Sequence, residues 1–142
     1  MQPLPPSVLP DGIRARILPA INGLDVHVLE AGHETPGRPA VLLLHGFPEL
    51  AYSWRKVMPA LAAAGYHAIA PDQRGYGRTT GWDADYDGDL AGFRFMNLVR
   101  DAIGVLFALG LGALKMPPPG LLGGFILGQL IWILAPFTVK ET

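Results

Sequence analysis

A chain of 142 residues that is 50% apolar and 16% charged has the composition of a folded domain rather than of a disordered segment. Its 11 Lys and Arg against 12 Asp and Glu leave a net charge of −1, without the cationic surplus that a nucleic-acid partner requires. The absence of cysteine excludes a disulfide framework, thiolate catalysis and Cys-ligated zinc, so a covalent nucleophile would have to be an oxygen.

The average hides a division. All acids except Glu141, and all bases except Lys115 and Lys140, lie at or before Asp101, and no charge occurs from Met116 to Val139. Three parts are expected: a leader over 1–11, a body over 12–110 and an apolar tail over 111–142. The leader, Met1-Gln2-Pro3-Leu4-Pro5-Pro6, has neither the cationic nor the apolar stretch of a signal peptide and reads as extended chain, which makes a cytoplasmic location the expectation.

In the body, Gly12 to Leu18 and Leu24 to Leu29 alternate apolar and polar residues at period two. Asn22-Gly23 between them is a hairpin signal, because both central positions of such a turn take positive φ. An antiparallel pair with one face in water is expected. Pro39 introduces Ala40-Val41-Leu42-Leu43-Leu44, a continuous apolar run of the kind buried on both faces, which ends at His45-Gly46. Ser53 is the expected N-cap of a helix from Trp54 to Ala64, closed by Gly65. Tyr66 to Pro71 then reads as a second central strand, completing a βαβ unit with parallel strands. A second helix spans Phe93 to Leu109, with Phe93, Met96, Val99, Ile103, Leu106 and Phe107 as its apolar stripe and Gly110 as its cap. The fold class is α/β.

The turn after the first central strand falls where open α/β sheets bind their ligands. The run Leu42-Leu43-Leu44-His45-Gly46-Phe47-Pro48-Glu49 is followed by Tyr52-Ser53-Trp54-Arg55 and by Ala70-Pro71-Asp72-Gln73-Arg74-Gly75-Tyr76-Gly77-Arg78-Thr79. In spacing and order these motifs resemble the amino-terminal part of an α/β-hydrolase, most similar to the epoxide hydrolases, over roughly Gly12 to Gly110. The fold implied is a partial α/β-hydrolase sheet, an antiparallel first pair followed by a parallel βαβ unit, that stops before the nucleophile elbow.

The resemblance implies that Phe47 presents its backbone N–H as one oxyanion donor, with Pro48 following a cis bond. It also places Trp54 near the substrate pocket; core packing explains that residue equally well. Asp72 and Arg74 are expected to hold their loop together as a pair rather than do chemistry. The substrate implied is a small-molecule epoxide or ester. The family reaction opens an epoxide with an Asp nucleophile in a Gly-x-nucleophile-x-Gly elbow, then hydrolyses the ester with water activated by a His. After Asp101 the chain has no Asp, Ser or His, and Pro117-Pro118-Pro119 cannot sit in a central strand. With no catalytic triad, a protein inactive by itself is expected, and no cofactor.

No metal site is expected either. Asp83-Ala84-Asp85-Tyr86-Asp87-Gly88-Asp89-Leu90 imitates the start of a calcium loop, but Arg94 stands where the bidentate Glu should be, so a solvated acidic loop is expected. Gly75-Tyr76-Gly77 is too short for a dinucleotide fingerprint. His27, His33, His45 and His67 lack metal-ligand spacing.

In the tail, Leu121 to Ala135 is shorter than the roughly 20 residues that cross a bilayer. Gly120, Gly124 and Gly128 recur at a spacing suited to close helix packing. One reading makes the tail unrelated to the family, the product of a shifted reading frame or a truncated gene. The alternative is a non-enzymatic, membrane-attached or partner-binding protein, attached through 120–139. Without a fifth strand, Val41 to Leu44 would be an exposed sheet edge; Phe125 to Leu134 could cover it as a helix or pair with it as a strand, and its length and leucine content favour the helix.

Overall fold

The computed structural model describes residues 1–111, 125–126 and 129–134. Its strands are β1 (Ile13–Ile21), β2 (Leu24–Ala31), β3 (Ala40–Leu43), β4 (His67–Pro71), β5 (Phe125–Ile126) and β6 (Gln129–Leu134), and its α-helices α1 (Met58–Ala63) and α2 (Phe95–Ala108). The strands form one sheet in the order β1-β2-β4-β3-β6-β5.

The β1–β2 hairpin turns at Asn22 (φ 49°) and Gly23 (φ 82°), the positive-φ pair expected from that dipeptide. β3 and β4 run parallel on either side of α1, as the βαβ reading requires. The half-exposed reading of β2 is corrected: its outer edge pairs antiparallel with β4, and His27 and Glu30 are fully buried. A strand in that position is covered on both faces. One face carries Leu29, Ala31, Val41, Leu43 and Ala70 against Trp54, Met58 and the leader residues Leu4 and Leu9. The other carries Val26, Val28, Leu42 and Ile69 against Val105 and Leu106 of α2.

The first helix also differs from expectation. Residues Ala51–Lys56 form a 3₁₀ segment and the α-helix begins only at Met58. Pro59 is the reason: an α-helix running from Trp54 would need its missing N–H and would drive its ring into the Arg55 carbonyl, whereas a proline fits the first turn of a new helix. Ser53 caps nothing; its hydroxyl donates to the Glu49 carboxylate.

In α2 the buried face is Asp101, Val105 and Leu106, while Met96, Ile103 and Phe107 of the expected stripe are exposed. Two constraints set this rotation. Arg74 grips Asp101 through Nε to Oδ2 at 2.8 Å and NH2 to Oδ1 at 2.9 Å, and Asn22 Nδ2 donates to the same Oδ1 at 2.7 Å. Gly104 lies so close to β1 that a Cβ there would stand 2.7 Å from Ile21 Cγ2. Gly110 (φ 75°) closes the helix as expected.

The tail is corrected where it is described. β6 pairs antiparallel with β3, from Ala40 opposite Leu134 to Leu43 opposite Ile131, and β5 pairs with β6. The expected helix over Phe125 to Leu134 is therefore replaced by strand pairing, which satisfies the open edge of β3 by backbone hydrogen bonds that a covering helix cannot supply. The glycine pattern at Gly120, Gly124 and Gly128 and the proline run lie outside the described residues. Among the described residues no helix is long and apolar enough to cross a membrane.

Two consequences are measurable. Adjacent residues of a strand point their N–H groups to opposite sides, so of Ile131→Pro and Trp132→Pro the one facing β3 should lower stability by about 1–3 kcal/mol in urea unfolding. Equal melting of both variants and the parent would contradict the β3–β6 pairing. The second concerns Glu30. Burial raises its carboxyl pKa, but the His67 hydrogen bond and the Arg14 and Arg16 charges outweigh this and lower it from 4.5 to about 2. A depressed carboxyl pKa contributes stability that is full above pH 4.5 and is lost as pH falls from there towards about 2. Glu30→Gln should cost about 2 kcal/mol at neutral pH, and the gap from the parent should close across that acid window when urea unfolding is followed against pH.

Candidate active site

The carboxyl end of β3 leads into His45-Gly46-Phe47-Pro48, a turn closed by Glu49 N–H donating to Gly46 O at 2.9 Å. The Phe47–Pro48 peptide is cis. Phe47 is 87% exposed, and among the described residues its N–H has no backbone partner.

The turn is held from behind by His45. The imidazole is buried; its Nε2 accepts the Gln73 N–H at 3.0 Å, which puts the proton on Nδ1, 3.1 Å from Gly46 O. The Gln73 side-chain amide donates to His45 O, and the Tyr76 ring meets the imidazole edge-on at 5.0 Å. The loop after β4 thus grips the loop after β3 at three points. The sequence reading placed His45 at the strand end but missed this role; a histidine closing a buried apolar run was the available signal.

Asp72 anchors that second loop. Its Oδ2 accepts from His27 Nδ1 at 2.8 Å and from Arg78 N–H at 3.0 Å, and its Oδ1 accepts from Ala51 N–H at 2.9 Å. The other nitrogen of His27, Nε2, accepts the Leu4 N–H at 3.4 Å, tying the leader to the same network. The expected Asp72–Arg74 pair is corrected: Arg74 reaches Asp101 instead, because its chain leaves the turn towards α2 while the Asp72 carboxylate points inward beneath the loop. The structural character expected of both residues stands. Burial raises the Asp72 pKa, but the His27 hydrogen bond and the Arg78 and Ala51 N–H groups more than offset it and hold it below 3.8. Gly77 packs so closely on the Asp72 carboxylate that it leaves no room for a Cβ.

Trp54 lies in the core cluster with Leu29, Leu43 and Met58, 8% exposed, and its Nε1 is buried with no hydrogen-bond partner among the described residues. Pro48 is exposed at the turn. Phe47, Pro48 and Trp54 thus belong to the turn and to the segment that follows it, with Trp54 turned into the core. Asp83 and Asp89 spend their carboxylates on local turns, accepting from Asp85 N–H and Ala91 N–H. Among the described residues no three His, Asp or Glu side chains converge on a common point.

The sequence pattern of the alpha/beta hydrolase fold family matches residues 39–115, more than half of the chain, and the chain belongs to that family. Among curated proteins it is 49% identical over 89 residues to Epoxide hydrolase A of Mycobacterium tuberculosis, covering 63% of this chain and 26% of that protein. An epoxide hydrolase of Caballeronia sordidicola is 48% identical over 90 residues, 63% of this chain and 25% of the relative. Among solved structures, potato (Solanum tuberosum) epoxide hydrolase I superposes with a TM-score of 0.57 at 44% identity, over 66% of this chain and 27% of that one. Epoxide Hydrolase A from Mycobacterium thermoresistibile gives 0.61 at 42% identity, over 69% and 28%. The chain resembles epoxide hydrolases and spans about a quarter of the length of these relatives.

Removing the Asp72 carboxylate would strand His27 Nδ1–H and two backbone N–H groups in the interior. Asp72→Ala is expected to cost about 3–5 kcal/mol, measured by urea unfolding at neutral pH, and Asp72→Asn, which keeps an acceptor oxygen, should cost less. Equal losses would mean that Asp72 acts through packing rather than through these hydrogen bonds.

Proposed function

We propose that this chain is the amino-terminal part of an epoxide-hydrolase-like α/β-hydrolase and supplies the oxyanion side of its site. Phe47 N–H is the donor, Pro48 shapes the turn, and Trp54 packs beneath it. The substrate is a small-molecule epoxide, whose oxygen gains negative charge as the ring opens, and a fixed N–H aimed at that oxygen lowers the barrier without reorganising. The observation that supports this most directly is the turn itself: an exposed strand-end loop with an unengaged N–H, immobilised from behind by His45 and Gln73.

The 142 residues contain no Gly-x-Asp-x-Gly or Gly-x-Ser-x-Gly elbow, and after Asp101 no His that could serve as base. By itself the chain therefore lacks turnover. Purified protein offered styrene oxide or a p-nitrophenyl ester should show none above buffer; turnover lost on substituting one residue of the body would overturn that reading. The constructive test is a chimera in which residues 12–110 replace the matching segment of the Mycobacterium tuberculosis relative. A folded chimera that hydrolyses an epoxide accepted by that relative is the expected result. A chimera with parental melting behaviour and no activity would contradict the assignment of the oxyanion side to this segment.

A further inference from the structure

At the opposite end of the sheet from the His45 turn, a cavity of about 370 Å³ opens on the α2 face. Its walls come from β1 (Arg14, Arg16), the end of β2 (Glu30), the β2–β3 loop (His33, Arg38), the start of β4 (His67) and the last turn of α2. Glu30 forms the floor, with Arg14 Nε at 3.0 Å from Oε2 and His67 Nε2 at 3.1 Å from Oε1. The lining thus includes three arginines and one carboxylate, a local excess of cation in a chain of net charge −1.

That excess is incompletely satisfied. Arg16 Nε lies 3.0 Å from Glu30 Oε2 but out of line for a hydrogen bond, and it is buried with no hydrogen-bond partner among the described residues. His33 Nδ1 is in the same condition, 3.5 Å from the carboxylate of Glu34, a residue outside the lining. Arg38 NH1 donates to Ala62 O at 2.9 Å, which ties that nitrogen to the last turn of α1 and leaves the rest of the guanidinium for the cavity that the residue lines. The carbonyl end of α2 offsets part of the positive field, its partial charge amounting to about half of one elementary charge. Three arginines against one carboxylate in the lining outweigh that, and the planar guanidinium fork matches an oxyanion that can accept two bonds from it.

We propose that this cavity binds a small oxyanion, a phosphate or carboxylate group, between Arg16 and Arg38, with Arg14 held in place by Glu30. The site is independent of the hydrolase reading, since it lies at the other end of the sheet and uses none of the residues of the turn.

The test is calorimetric titration of the full 142-residue chain with inorganic phosphate and, separately, with succinate, at ionic strength held constant with sodium chloride. Saturable one-to-one binding of either ligand is expected. Phosphate alone would assign a tetrahedral anion, succinate alone a carboxylate, and both a general oxyanion site. Arg16→Gln and Arg38→Gln should each weaken binding roughly tenfold or more, as loss of a charge-assisted bond implies. Arg16→Gln removes a charge 3.0 Å from the buried Glu30 carboxylate and should melt below the parent, so its binding is measured well below its own melting temperature. Arg100→Gln, on the exposed side of α2, should bind as the parent does. Absence of saturable binding, or equal weakening in all three variants, would overturn the proposal.

Discussion

The upper end of this molecule is organised around a buried negative charge. A carboxylate out of contact with water is tolerated only when its lone pairs are met, and Asp72 meets them with His27 from β2, Ala51 from the 3₁₀ segment after β3, and Arg78 from the loop after β4. Three separate stretches of chain are brought to one point by that requirement. Thr79 adds a second layer, its hydroxyl donating to Asp72 O while accepting the His27 N–H. With the Gln73 loop fixed in this way, His45 has a rigid surface to lean on, and the His45-Gly46-Phe47-Pro48 turn is held from behind.

Two further acids act in the same manner elsewhere. Asp101 is held by Arg74 and Asn22, which locks α2 to the hairpin and to the loop after β4. Glu30 gathers Arg14, Arg16 and His67 at the far end. The three nodes join elements distant in sequence, so the βαβ unit, the hairpin and α2 are tied by charge as well as by apolar burial. They also differ in what they leave over. Asp72 and Asp101 are matched by their partners, whereas the Glu30 node has more cation than one carboxylate can neutralise, and the surplus faces a cavity.

Much of the local structure was legible because local rules decide it. Asn22-Gly23 makes its turn through positive φ, Gly110 closes α2 for the same reason, and the Ala40 to Leu44 run needs burial on both faces. Where the structure departs from the local rules, a specific group decides. Pro59 moves the start of α1 to Met58. The apolar stripe of α2 includes Met96, Ile103 and Phe107, yet the helix turns inward the side that carries Asp101. β2 was read as half-exposed because its alternation resembles that of an edge hairpin, while His27 and Glu30 are polar residues whose partners come from other strands and loops. The apolar tail looked helical by length and leucine content; an unpaired edge on β3 demanded backbone hydrogen bonds and made residues 129–134 a strand.

The amino-acid sequence alone determined the element order as far as α2, the hairpin turn, the parallel βαβ core and the motifs that mark an α/β-hydrolase beginning at the strand-end turn. These depend on backbone preferences and apolar runs acting over a few residues. Only the tertiary structure decided which charges are partners, which side of α2 is buried and what completes the edge of β3. Each of those outcomes turns on the cost of leaving a charge or a backbone group unsatisfied in the interior, and that cost is set by residues distant in the chain and adjacent only after folding.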